Sequence, residues 1–186
     1  MFSIGSDPVT LGIVSSLNQP GGNVTGIHFF GSALVSKRIE LLNELVPKAD
    51  SIGMLLNPVN PDSDAQLQEA RAAAQTFGKS IVQLEEANTE ADLAEAFAQI
   101  RPRRIQALVV QTDSLFTSRP ALLAGLAASH KVPAMYPDRA QVIAGGLSGY
   151  GASIAEAFRQ VGTYTGRILR GERPGDLPVH SRPKSI

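Results

Sequence analysis

No cysteine and no tryptophan occur among the 186 residues, and acidic and basic side chains balance at 17 each. Without cysteine there is no disulfide scaffold, thiolate zinc site, iron–sulfur cluster or cysteine nucleophile. A formal net charge of zero argues against a non-specific grip on DNA or on an anionic membrane, both of which draw on clustered excess Lys and Arg. Hydrophobic residues make up 43% of the chain, in runs no longer than a strand and far below the roughly 20 residues of a spanning helix. No charged n-region followed by an apolar h-region stands at the start. The chain opens directly on an apolar stretch, Met1 to Gly5, which suggests a fragment. The length suits one domain, or one domain plus a piece of another.

From Ser51 onward strands and helices alternate. Apolar runs at Ser51–Leu56, Ser80–Leu84, Ile105–Gln111, Val132–Tyr136 and Leu147–Tyr150 read as strands, with the third, most apolar one central. Between them fall helices over 62–77, 89–101, 119–130 and a short one over 139–143. Ser63 with Gln66, and Thr89 with Asp92, have capping-box spacing. Pro120 sits in a first turn, where its missing N–H costs little, and Gly78 closes a helix. The pattern predicts βαβ units with right-handed crossovers, an α/β fold with a doubly wound parallel sheet.

The flanks add a strand (Phe2–Gly5), a helix (Pro8–Leu17), a Pro20-Gly21-Gly22 turn, a strand (Asn23–Phe29) and a helix (Val35–Val46). After Gly151 a long helix spans Ser153–Arg170, with Ile154, Phe158, Val161, Thr165 and Ile168 as its apolar stripe. An extended tail follows. The expected division is 1–30, 31–150, 151–175 and 176–186.

In an open parallel sheet, ligands bind beyond the carboxyl ends of the strands. The candidates there are Asn57, Asn60 and Ser63, then Thr112 and Asp113, Tyr136 and Asp138, and Tyr150. Short polar groups and helix starts suit a small polar solute, including one with a carboxylate. Each also has a plainer role: Ser63 as a helix cap, Asn57-Pro58 and Pro137-Asp138 as turn residues, Tyr136 and Tyr150 as core aromatics with a wet hydroxyl. Asp113, after the central strand, is open to either reading.

Catalytic patterns are missing. His28, His130 and His180 share no metal-ligand spacing, and Gly146-Leu147-Ser148-Gly149 lacks the second glycine of a nucleophile elbow. Gly149-Tyr150-Gly151 is half a dinucleotide fingerprint in the wrong place. Glu85-Glu86 and Arg101-Pro102-Arg103-Arg104 read as solvated surface. Asn23-Val24-Thr25 matches a glycosylation sequon, a pattern common by chance. No metal or cofactor is expected, and no enzymatic activity.

Several stretches combine into a resemblance: Gly5-Ser6-Asp7-Pro8-Val9, Leu17-Asn18-Gln19-Pro20-Gly21-Gly22-Asn23-Val24-Thr25-Gly26, Lys37-Arg38-Ile39-Glu40-Leu41-Leu42 and Asn57-Pro58-Val59-Asn60-Pro61. The tail adds Gly166-Arg167-Ile168-Leu169-Arg170-Gly171-Glu172 and Asp176-Leu177-Pro178-Val179. Together they resemble the ABC-transporter substrate-binding protein family that includes tryptophan/phenylalanine-binding lipoproteins. The resemblance implies a type I periplasmic binding protein: two α/β lobes, a cleft and a hinge. One lobe would be complete here and the other present in part, because family members are longer. It further implies a small-molecule solute, an ABC permease as partner and a periplasmic location for the full-length family, with no nucleic-acid partner; lacking a visible signal, the chain as given could be cytoplasmic. Ser6 and Asp7 would face the cleft from one lobe, and Asn57, Asn60, Ser63, Thr112, Asp113, Tyr136 and Asp138 from the other. Tyr150 would lie at the hinge. Ser63 would meet a solute carboxylate, and Asp113 or Asp138 an amino group. The partial lobe would leave apolar strands and a helix stripe uncovered, favouring a homodimer. The alternatives are the effector domain of a sugar-repressor-like regulator and a small flavodoxin-like enzyme.

Overall fold

The computed structural model describes residues 1–5, 7–28, 33–84 and 89–180, with the side chains of Ala33 and Ile154 also outside the description. In chain order the elements are β1 (Phe2–Ile4), β2 (Gly26–His28), α1 (Ala33–Leu45), β3 (Ser51–Leu55), α2 (Ser63–Thr76), β4 (Ser80–Leu84), α3 (Glu90–Ala98), β5 (Ala107–Val110), α4 (Ser114–Thr117), α5 (Pro120–Ser129), β6 (Ala134–Tyr136), α6 (Arg139–Ile143), β7 (Ser148–Gly149) and α7 (Ile154–Leu169). They divide into two compact units, Met1–Gly31 with Ala152–Ser185, and essentially Ser32–Gly151.

The larger unit is a five-stranded sheet in the order β4-β3-β5-β6-β7, parallel throughout. The most apolar strand, β5, is central, as its composition predicts. Alternation along the strands sorts the core onto two faces. Leu55, Leu108 and Val110 point into one cluster with Leu93, Phe97, Phe116 and Leu123 from α3, α4 and α5. Met54, Ala107 and Val109 point into the other with Val35, Ile39, Leu42, Leu67 and Ala70 from α1 and α2. Each such fully buried Leu or Phe contributes about 1.5–3 kcal/mol. Gly53 keeps the sheet close to its neighbours: a Cβ there would stand 2.9 Å from Ile105.

The helix ends mostly follow their predicted signals. Thr89 and Asp92 form a reciprocal capping box on α3, and the Ser153 hydroxyl accepts from the Glu156 N–H at α7. Ser63 does not cap α2. The N-cap is Asp62, and the Ser63 hydroxyl turns inward instead, donating to the Asn57 carbonyl at 2.6 Å. After β5 the chain runs through Thr112 and Asp113 straight into the short helix α4, capped by Asp113, a helix the sequence pattern did not predict.

In the smaller unit β1 and β2 pair in parallel, and Ile27 bridges His180. The expected helix over Pro8–Leu17 is absent. Asp7 fixes one turn by accepting from the Val9 N–H and the Thr10 hydroxyl. Gly12, at φ +68°, then takes the left-handed conformation that ends a helix. The α7 stripe also differs from expectation. Its inward residues are Ala157 and Tyr164, with Val161 and Ile168 half-buried. Phe158 and Leu169 are 64% and 82% exposed, and Thr165 is exposed too. The tail is not simply extended: a 3-10 turn at Pro174–Asp176 precedes buried Leu177 and Val179. The sequon's Asn23 is exposed, while its Thr25 is fully buried with its hydroxyl on the Leu177 carbonyl. Among the described residues, no helix is long and apolar enough to cross a membrane.

Candidate functional site

The carboxyl ends of β3 and β5 meet the start of α2, and a polar network ties the three together. Gln111 follows β5 and is fully buried. Its carbonyl oxygen accepts from the Asn57 N–H at 2.7 Å, and its amide donates to the Ser63 hydroxyl at 2.8 Å. Asp113 is 7% exposed and accepts three times: from Leu115 N–H at 2.7 Å, from Asn57 Nδ2 at 3.2 Å and from Asn60 Nδ2 at 2.6 Å. The Asn57 and Asn60 side-chain carbonyls in turn accept from the Val59 and Asp62 N–H groups. One carboxylate thus folds the Asn57-Pro58-Val59-Asn60 loop onto the end of the central strand.

Thr112 is held from both sides. Gln66 of α2 accepts from its N–H at 3.0 Å and donates to its carbonyl at 3.3 Å. Arg38 of α1, completely buried, donates to the Val110 carbonyl at 2.9 Å and to the Thr112 hydroxyl at 2.6 Å. Burial pulls the Arg38 pKa down to about 9, which still leaves a cation at neutral pH. Buried charges need such hydrogen bonds to be tolerated.

These partners separate the expected site residues into layers. Asn57, Ser63 and Asp113 are buried and engaged inside the network. Asn60, Thr112, Asp138 and Tyr150 are half-exposed. Asp138 caps α6 by accepting from the Ala140 N–H at 2.7 Å, and Tyr150 packs beside the α1–α2 core cluster. Tyr136 lies in the core rather than at the rim. It has no exposure, its hydroxyl points to the Leu123 carbonyl at 3.4 Å, and burial pushes its pKa up to about 12. Asp7, in the smaller unit, is an exposed turn carboxylate held below its usual range by the Val9 N–H and then the Thr10 hydroxyl. Ser6 and the Glu85-Glu86 pair lie outside the described residues.

Sequence reasoning missed Arg38, Gln66 and Gln111. Each had a local signal, because each places a polar side chain where the period demands an apolar one. Arg38 stands in the stripe between Val35 and Leu42, Gln66 one residue before Leu67 on the inner face, and Gln111 at the end of the most apolar strand. As a chemical device the rim offers amide, hydroxyl and carboxylate groups in fixed positions. Ser63 Oγ is hydrogen-bonded to a carbonyl and an amide, not to a base, and no group of residues able to hold a metal ion occurs among the described residues. The arrangement is suited to holding a solute.

The family model of ABC transporter substrate binding proteins matches residues 1–185. The chain belongs to this family, whose members bind solutes and are not enzymes. A tyrosine-binding protein of Clostridioides difficile is 29% identical over 174 residues, covering 94% of this chain and 49% of that protein. A domain from Streptococcus pneumonia solved in complex with L-Trp superposes with a TM-score of 0.81 at 24% identity, covering 97% of this chain and 61% of that one. A conserved domain protein of Vibrio cholerae superposes at 0.83 with 27% identity, over 96% and 59% of the two chains. The chain therefore spans about half the length of the curated relative it matches. The fold is that of type I periplasmic binding proteins.

Proposed function

We propose that this chain is the solute-binding component of an ABC importer and that it takes a small polar molecule, an amino acid, at the carboxyl ends of β3, β5, β6 and β7. The observation that carries this reading is the network around Asp113 and Gln111. With Gln66 and Arg38 it immobilises half-exposed Asn60 and Thr112, Asp138 and Tyr150 are fixed separately at the end of β6 by the Ala140 N–H and the Tyr136 carbonyl, and no nucleophile–base pair is offered. The amino-acid class is supported by the names of two similar proteins, one tyrosine-binding and one solved with L-Trp. In this reading Asn60, Thr112, Asp138 and Tyr150 touch the solute. Asn57, Ser63 and Asp113 position the Asn57–Asn60 loop and with it Asn60. A solute held between two lobes is captured by hinge closure, delivery is to an ABC permease, and the location of the full-length family is periplasmic.

The test is an NMR titration with millimolar tyrosine, tryptophan and phenylalanine. Shifts confined to the amides of Asn60, Thr112, Asp138 and Tyr150 are expected. Shifts elsewhere, or none, refute the site.

We also propose that the smaller unit mediates a homodimer. Exposed Phe158 and Leu169 on α7 support it, as does β1, whose described pairing is with β2 alone. A monomeric mass by light scattering from micromolar to millimolar concentration counts against this reading.

A further inference from the structure

In the larger unit α1, α2, α3 and α5 each lead into the next strand of a parallel sheet. Their carboxyl termini therefore share the sheet end opposite the solute rim. Cations collect there. Lys48 follows α1, Lys79 follows α2, Arg101 and Arg104 follow α3, and Lys131 follows α5; all but Lys79 have exposed side chains in a chain of zero net charge. The acids at this end are Glu44 and Asp50, and Asp50 lies 3.6 Å from Lys79. The solute rim is mixed, with Asp62, Asp64, Glu90, Asp92, Asp113 and Asp138 beside Lys37, Arg38, Arg119 and Arg139.

Two of these cations occupy an unusual backbone position. After α2, Gly78 takes φ +66°, and the following Lys79 N–H reaches back to the Ala74 carbonyl. After α3, Arg104 takes φ +54° and the Ile105 N–H reaches the Ile100 carbonyl. After α5, Lys131 takes φ +53° and the Val132 N–H reaches the Ala127 carbonyl. All three junctions use the same helix-closing motif, for which glycine is the unstrained choice. A cation to complement the helix dipole could follow the glycine, as Lys79 does. Arg104 and Lys131 therefore hold their positive charge at a conformational cost that capping does not explain. Beside them, Leu45 and Phe77 at the ends of α1 and α2 are 53% and 39% exposed.

We propose that this end of the sheet docks on an anionic bilayer surface. The cations are long, scattered over four junctions and organised around no buried aromatic anchor. That suits a fluid sheet of phosphate headgroups better than a stereospecific protein partner, whose interface would centre on packed apolar residues. Leu45 and Phe77 offer shallow apolar contacts at the headgroup level.

The test is co-sedimentation of the full chain with large vesicles of phosphatidylglycerol and phosphatidylcholine, or of phosphatidylcholine alone, at 50 and 500 mM NaCl. Binding to the anionic vesicles alone, and its loss at high salt, is expected. Arg104→Gly and Lys131→Gly should each lower partitioning about fivefold. Both replace a strained residue by glycine, so the melting temperature should hold or rise, and a folding defect cannot account for lost binding. Equal binding to neutral vesicles, or anionic binding indifferent to both variants, overturns the proposal. So does retention on soluble polyglutamate with none on vesicles, which would point to an acidic protein instead.

Discussion

Asp113 is the residue whose removal tests the network most directly. Asp113→Ala deletes the cap on the Leu115 N–H, at about 1 kcal/mol, and two bonds from Asn57 and Asn60 to a charged acceptor, at about 1.5–3 kcal/mol each. Against this, the variant no longer buries a carboxylate, which returns a kcal/mol or two. A net loss of about 2–6 kcal/mol follows, which for a chain of this length, at about 2–4 °C per kcal/mol, lowers the melting temperature by about 4–24 °C. Asp138 is the matched control. It makes the same cap, to the Ala140 N–H at 2.7 Å, with no asparagine side chain among its recorded partners. Asp138→Ala should therefore cost about 1 kcal/mol and about 2–4 °C. Asp113→Asn keeps an acceptor for the Leu115 N–H but sets an amide against the Asn60 amide at the 2.6 Å contact. It should fall between the two. Urea unfolding followed by circular dichroism, with thermal melts alongside, measures all three. If Asp113→Ala costs no more than Asp138→Ala, the carboxylate does not hold the Asn57–Asn60 loop and the site reading loses its basis.

Other outcomes follow from single contacts. Gly151→Ala would drive a Cβ into the Pro137 carbonyl oxygen; backbone cannot yield there, so the variant should lose more than about 4 kcal/mol or fail to accumulate as folded protein. Gln66→Leu strips Thr112 of its N–H acceptor and should cost about 2 kcal/mol, measurable by urea titration, while its volume still fits the α2 core face. Tyr136 gives a pH signature. Its folded pKa of about 12 lies above the ordinary 10.0, so its stabilisation is complete below pH 10 and is lost as pH rises from 10 to 12. Wild type should lose about 2 kcal/mol across that window, and Tyr136→Phe should lose correspondingly less. Equal alkaline slopes for the two proteins would refute the assignment.

The strand and helix order of residues 51–150 was legible because each element there carries a period set by its own neighbours. Leu93, Phe97 and Ile100 recur on one helix face and are buried as a group. The Thr89–Asp92 box and the Pro120 start are likewise local events. Misreadings arose where a local signal had a distant competitor. Ser63 looks like a cap from its spacing with Gln66, but both turn inward, to Asn57 and Gln111 and to Thr112. The Pro8–Leu17 segment carries helical spacing, but Asp7 and Gly12 fix a single turn. Phe158 has the same spacing as Val161, and only packing decided which of them faces inward.

The sequence by itself determined the alternating order of elements, the parallel sheet, the central place of the Ile105–Gln111 strand and the carboxyl-end loops as the place to look for a site. Those follow from periodicities and turn residues spanning a few positions. Tertiary structure alone decided which polar groups form the rim and which are spent in holding it. Arg38 meets Thr112, and Asn57 meets Asp113, across more than fifty positions of chain, a pairing that no local spacing encodes. It also decided where the charge lies: a balance of zero over the whole sequence conceals a basic sheet end, because helices leading into parallel strands all deliver their last residues to the same side.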